Sequence, residues 1–169
     1  MARISAGRQS GLVLYLIIMA YPSLALIDAL RTTAARLDAG ATYQWGHLGQ
    51  CNCGHLVQTV CRIDPAAIHR WATERAFERQ GDWEDLANDY CPTSGLPIDH
   101  VIGRLCELGL TTDDLAHLEK LSDEAVLAAL PGGKRWLRRN QREDVVAYLR
   151  AWADLLAAAL PAAAATHAA

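Results

Sequence analysis

The stretch Tyr43–His55, YQWGHLGQCNCGH, places His47, Cys51, Cys53 and His55 within 13 residues. Thiolates and imidazoles are the usual ligands of zinc, copper(I) and iron–sulfur centres. Glycines at 46, 49 and 54 let the backbone bend around a small ion. Alternate residues of an extended segment point the same way, so Cys51 and Cys53 can direct both sulfurs at one point. His47, Cys51 and His55, at i, i+4 and i+8, would share a helix face, but three glycines in the run favour a loop. Cys91, in the turn-rich stretch Tyr90–Leu96, is the distant partner expected to complete the shell. The expected site is Cys51, Cys53, Cys91 and one of His47 or His55. This Cys3His set suits tetrahedral zinc, with an iron–sulfur centre or copper(I) as alternatives. It requires Tyr43–His55 to fold back against the turn at residue 91. Four protein ligands would make the ion structural, and an open position would make it catalytic, so the sequence leaves enzyme status undecided. The spacing matches no zinc-finger or ferredoxin pattern, and no C-x2-C pair occurs.

Thiol chemistry is the rival expectation. With Asn52 as a helix cap, Cys53 would lie in the first turn, where backbone N–H groups and the helix dipole favour a thiolate. His47 or His55 would act as base, Asn52 or Gln50 as oxyanion donor, and Cys51 as the resolving thiol. That constellation describes a thiol-dependent enzyme or a redox sensor using Cys53 with Cys51. A third reading is a helical interaction module in which the cluster only staples two loops. The other candidates read more blandly. Cys61 and Cys106 border apolar helix faces and suit the core, with Cys61 also available as a further thiolate. His69 and His117 sit among charged neighbours and read as solvated. His100 lies off the inward stripe of its helix, beside Asp99, and could reach a site. Asp82, Glu84 and Asp85 read as acids complementing a helix start, or as carboxylates orienting a ligating histidine. Tyr43, Trp45, Trp83 and Tyr90 read as aromatic packing, or as walls of a small-molecule pocket beside the Cys/His site.

Helices must position these groups. Apolar residues recur at helical spacing in Leu26, Ile27, Leu30, Ala34 and Leu37, with Ser23 as cap and Gly40 as stop. A short helix from about Cys53 carries Leu56, Val57, Val60 and Ile63. Asp64-Pro65 starts a third that extends toward Gly81, with Ile68, Trp71, Ala72 and Phe77 inward. Asp82 caps Trp83–Asn88, Pro97 opens a helix closed by Gly109, and Thr111-x-x-Asp114 is a capping box. Ser122 is the expected cap of a short helix ended by Pro131-Gly132-Gly133. A long helix runs from about Asn140 to Leu160. No period-two run or internal repeat occurs. The expected fold is all-α, an irregular bundle of six to eight helices with Cys/His-bearing loops. The expected layout is an apolar extension over 1–18, one helical domain over 19–160, and an Ala-rich tail over 161–169.

Composition fits one globular domain. Of 169 residues, 51% are hydrophobic and 21% charged, which supplies a core and excludes a disordered chain. The net charge of −3 provides no cationic field for nucleic acid. Ile98–Leu121 has a helix-turn-helix outline, but Asp113 and Asp114 would meet phosphate on its second helix. The basic run Lys134, Arg135, Arg138, Arg139 and Arg142 reads as a solvated face. No Walker loop, dinucleotide fingerprint, HExxH or G-x-S-x-G is present. Gly11–Leu26 is apolar behind Arg3 and Arg8, the outline of a signal peptide, though too short to span a bilayer. A start at Met19 is the other reading. An odd number of cysteines favours reduced thiols and hence a cytoplasmic protein, with the signal-like start leaving export open. The expected partners are a metal ion and a small molecule near it, with no nucleic acid or membrane.

Overall fold

In the computed structural model the described residues are 20–75, 81–133 and 136–160. They form eight helices and no strand: α1 (Leu24–Asp38), α2 (Asn52–Cys61), α3 (Pro65–Arg75), α4 (Trp83–Asn88), α5 (Pro97–Glu107), α6 (Thr112–Lys120), α7 (Glu124–Ala129) and α8 (Arg142–Ala159). The all-α bundle read from the sequence is therefore the fold. The two ends of the domain layout, and Phe77 of the third helix, lie outside the described residues.

Helices α1 and α8 make the most extensive contact and form the spine. Leu26, Leu30, Ala34 and Leu37 of α1 are fully buried, as are Val145, Leu149, Ala153 and Leu156 of α8. Burying one such leucine side chain stabilises by roughly 1.5–3 kcal/mol. Arg31 with Asp154 and Asp38 with Arg150 bridge the two helices, so α1 and α8 run antiparallel. Both pairs are exposed and add little. Helix α2 is the hub, packing against α1, α3, α5 and α6.

Capping chemistry sets most boundaries. Ser23 Oγ accepts from Leu26 N–H and donates to Leu108 O, tying the start of α1 to the end of α5. Tyr21 N–H donates to Gly109 O at 2.7 Å, and Gly109 (φ +114) must be glycine, because a Cβ there would strike the Tyr21 carbonyl. Asp64 caps α3, Asp82 caps α4, and Thr111 with Asp114 forms the capping box of α6. Two caps differ from expectation by one residue. Cys51, not Asn52, holds the N-cap position of α2, and Asn52 is its first helical residue. Asp123, not Ser122, caps α7, since Ser122 Oγ is held by His117 Nδ1 at 2.9 Å. Helix α2 also ends before Ile63, at Arg62 in the left-handed region.

Candidate functional site

The Tyr43–His55 segment folds inward onto α6, not toward residue 91. Cys51, Asn52, Cys53 and Gly54 at the start of α2 are all buried, and His55 is 2% exposed. Close approach explains the glycines: a Cβ at Gly49 would strike the Pro65 carbonyl, and one at Gly54 the Leu48 carbonyl and Gly49. Asn52 Nδ2 donates to Leu118 O and Glu119 O, two carbonyls in the last turn of α6, where the helix runs out of its own N–H donors. Its Oδ1 accepts from Tyr43 Oη at 2.6 Å, and Tyr43 Oη also bonds the Arg139 carbonyl. Cys51 donates to Leu48 O at 3.5 Å and Cys53 to Leu115 O at 3.3 Å. Trp83 Nε1 donates to the same Leu48 carbonyl at 2.9 Å. The segment thus serves backbone carbonyls of its own loop, of α6 and of Arg139.

Beside both thiols lies Glu119, 1% exposed, a residue without a sequence signal beyond its place on the polar side of α6. Its Oε2 has no hydrogen-bond partner. Burial pushes the Glu119 carboxyl up to about 7, opposed by the Cys51 and Cys53 groups beside it and reinforced by Asp82. Burial, and then the Glu119 charge, push both thiols well up. Burial thus works against both thiolate character and access at Cys53, the two properties on which a nucleophile or redox thiol depends. The helix start does not lower its pKa as anticipated, because desolvation outweighs the dipole inside the core.

The remaining expected ligands have separate surroundings. His55 Nε2 donates to Thr42 O at 3.0 Å, leaving Nδ1 unprotonated and unpartnered, and burial favours the neutral ring. His47 stacks on His69 with ring centroids 4.1 Å apart. Their Nδ1 atoms accept from Gly49 N–H and Leu48 N–H, so His69 holds the loop instead of standing in solvent. Cys91 belongs to a different cluster, on the partly exposed turn before α5. Its N–H donates to Asp99 Oδ1, and Asp99 is buried and also held by Ser94 and Arg75. Hydrogen bonding from Thr93 draws the Cys91 thiol down, toward the thiolate. The structure thus brings Cys51 and Cys53 together around Glu119, and does not bring Cys91, His47 or His55 to them. Among the described residues no three His, Cys, Asp or Glu stand in metal-holding geometry. Asp99, Ser94 and Arg75 hold the 91 turn, while Asn52 and Cys53 hold the motif on α6.

The other candidates settle as follows. Asp82 caps α4, Trp83 is core, and Arg139 lies 4.4 Å over the Trp45 ring. Arg138 pairs with Asp144. Cys61 and Cys106 are half-buried, and both border clefts. One cleft, of about 430 Å³, opens between α2, α3 and α5, walled by Val60, Ile63, Trp71 and Val101 with His100 and Arg104 at its edge. The sequence signalled it only as His100 lying off the buried stripe of α5. No helix among the described residues is long and apolar enough to cross a membrane. Set against known protein families, curated proteins and solved structures, the chain matches none of them.

Proposed function

We propose that this chain is a helical binding module that holds a small, largely apolar ligand in the α2–α3–α5 cleft. The Tyr43–His55 segment is the staple that fixes α2, one wall of that cleft. The carrying observation is the cleft itself: about 430 Å³, walled by the half-buried Trp71, Val60 and Ile63 and by Val101. Ligand sites are typically concave, mostly apolar, and roughly 300–1,000 Å³ in volume, with a few polar groups that orient the ligand. The buried motif supports the reading from the other side, since its donors serve neighbouring backbone and hold α2 rigid.

The test is a fluorescence titration with the neutral probe N-phenyl-naphthylamine. The proposal expects one saturable site that Trp71→Ala weakens about tenfold, the loss of one large aromatic contact. Val60→Asp on another wall serves as the second variant if Trp71→Ala does not fold. No saturable binding, or binding indifferent to both substitutions, overturns it.

A second reading keeps a zinc ion at the motif, with Cys51, Cys53 and Glu119 as ligands in place of Cys91 and the histidines. The unpartnered Glu119 Oε2 beside two sulfurs favours it. It requires both thiols to turn away from the Leu48 and Leu115 carbonyls.

A further inference from the structure

We infer that the ligand of the α2–α3–α5 cleft is an amphipathic anion, an aromatic or aliphatic body ending in a carboxylate or sulfonate-like group, with that end on Arg104. The inference rests on the cleft being a binding site, and narrows its ligand class.

The argument is charge complementarity. The cleft walls carry no carboxylate, and the one permanent charge among them is the Arg104 guanidinium. His100 stands one turn before it on α5, so the two line the same side of the cleft. The Arg104 charge is felt inside the cleft, where it draws the Cys61 thiol down against the upward push of burial. Opposite that edge, Trp71, Val60 and Ile63 offer only apolar surface. An apolar body with an anionic end satisfies both halves, and a cation would be left against the guanidinium.

Two neighbours sharpen the choice. Arg104 pairs with Glu107 one turn on, but both side chains are mostly exposed, so the pair is held weakly and an arriving anion can exchange with it. Across the His100–Arg104 ridge lies a second hollow of about 530 Å³. Glu107 and Asp99 stand in its walls, so it disfavours an anion and sends the charged end to the first cleft. An oxyanion on a guanidinium also gains a charge-assisted, geometrically defined contact that a neutral polar group does not.

The experiment compares N-phenyl-naphthylamine with anilinonaphthalene sulfonate, which share one aromatic body and differ by the anionic group. Both are titrated by fluorescence into the wild-type chain, Arg104→Gln and Trp71→Ala. The expected result is that the sulfonate binds about tenfold more tightly than the neutral amine, and that Arg104→Gln erases this difference. Trp71→Ala should weaken both probes. If the amine binds in a Trp71-dependent way but the sulfonate binds no tighter, the anionic class is wrong and the cleft reading stands. If neither probe depends on Trp71, the cleft reading itself falls. Sulfonate binding that Arg104→Gln leaves untouched also overturns the assignment.

Discussion

Glu119 shows how far a single buried acid can shape behaviour. Its folded-state value of about 7 against an ordinary 4.5 corresponds to about 3 kcal/mol of differential interaction. The folded chain binds the proton more tightly than the unfolded chain, so the carboxyl is harmless below pH 4.5. Stability then falls as pH rises from 4.5 through about 7. Glu119→Gln should match the wild-type chain near pH 4.5 and exceed it by about 3 kcal/mol at pH 8, read from urea unfolding at each pH. Stability curves that stay parallel across that range would show that the carboxyl is not held in this way. The identity of the residues at the motif was plain in the sequence, and their environment was not. Periodicity reports which face of a helix is apolar, yet Glu119 looks like any solvated acid next to Lys120. Its burial follows from Asn52 and Cys53 docking on α6, a contact more than 60 residues apart in the chain. His69 reads as solvated from its neighbours for the same reason, since its acceptor role is set by the distant Leu48 N–H.

Helices were far more legible, because their signals are local. Ser23, Asp64-Pro65, Asp82, Pro97 and Thr111-x-x-Asp114 each mark a start through chemistry confined to three or four residues. The one-residue slips at α2 and α7 occur where the side chain expected to cap is engaged elsewhere, and at α2 Cys51 holds the N-cap position without a side-chain cap bond. Asn52 is taken by α6 and Ser122 by His117. Glycine in α2 is the informative exception to helix propensity. Gly54 lowers the intrinsic stability of α2 by roughly 1 kcal/mol relative to alanine, yet it lets the Leu48–Gly49 backbone cross directly over the helix. Gly54→Ala should therefore destabilise by about 2 kcal/mol or more, opposite in sign to its effect in an isolated helix. Thermal unfolding of the variant checks this, and a raised midpoint would mean that the crossing is looser than described.

At the scale of the whole molecule, the α1–α8 spine and the α2 hub divide the labour. The spine supplies much of the buried apolar surface. The hub joins it to α3, α5 and α6, and leaves a cleft where α2, α3 and α5 meet. Apart from His100 lying off the buried stripe of α5, nothing in the linear pattern marks that cleft, since a cleft is a failure of three helices to close on one another and has no local period. On this account the cysteines fall into three classes, with Cys61 and Cys106 half-buried and pushed up by burial between the two extremes. Cys51 and Cys53 are sealed, with raised thiol pKa values, while Cys91 is partly exposed and drawn toward the thiolate. The most direct test of the staple is residue-resolved alkylation of the native chain followed by mass spectrometry, with and without a strong metal chelator. The account predicts that Cys91 reacts first and that Cys51 and Cys53 react only at the rate of global unfolding, unchanged by the chelator. Cys51 and Cys53 labelled as fast as Cys91, or protected only until the chelator is added, would contradict it.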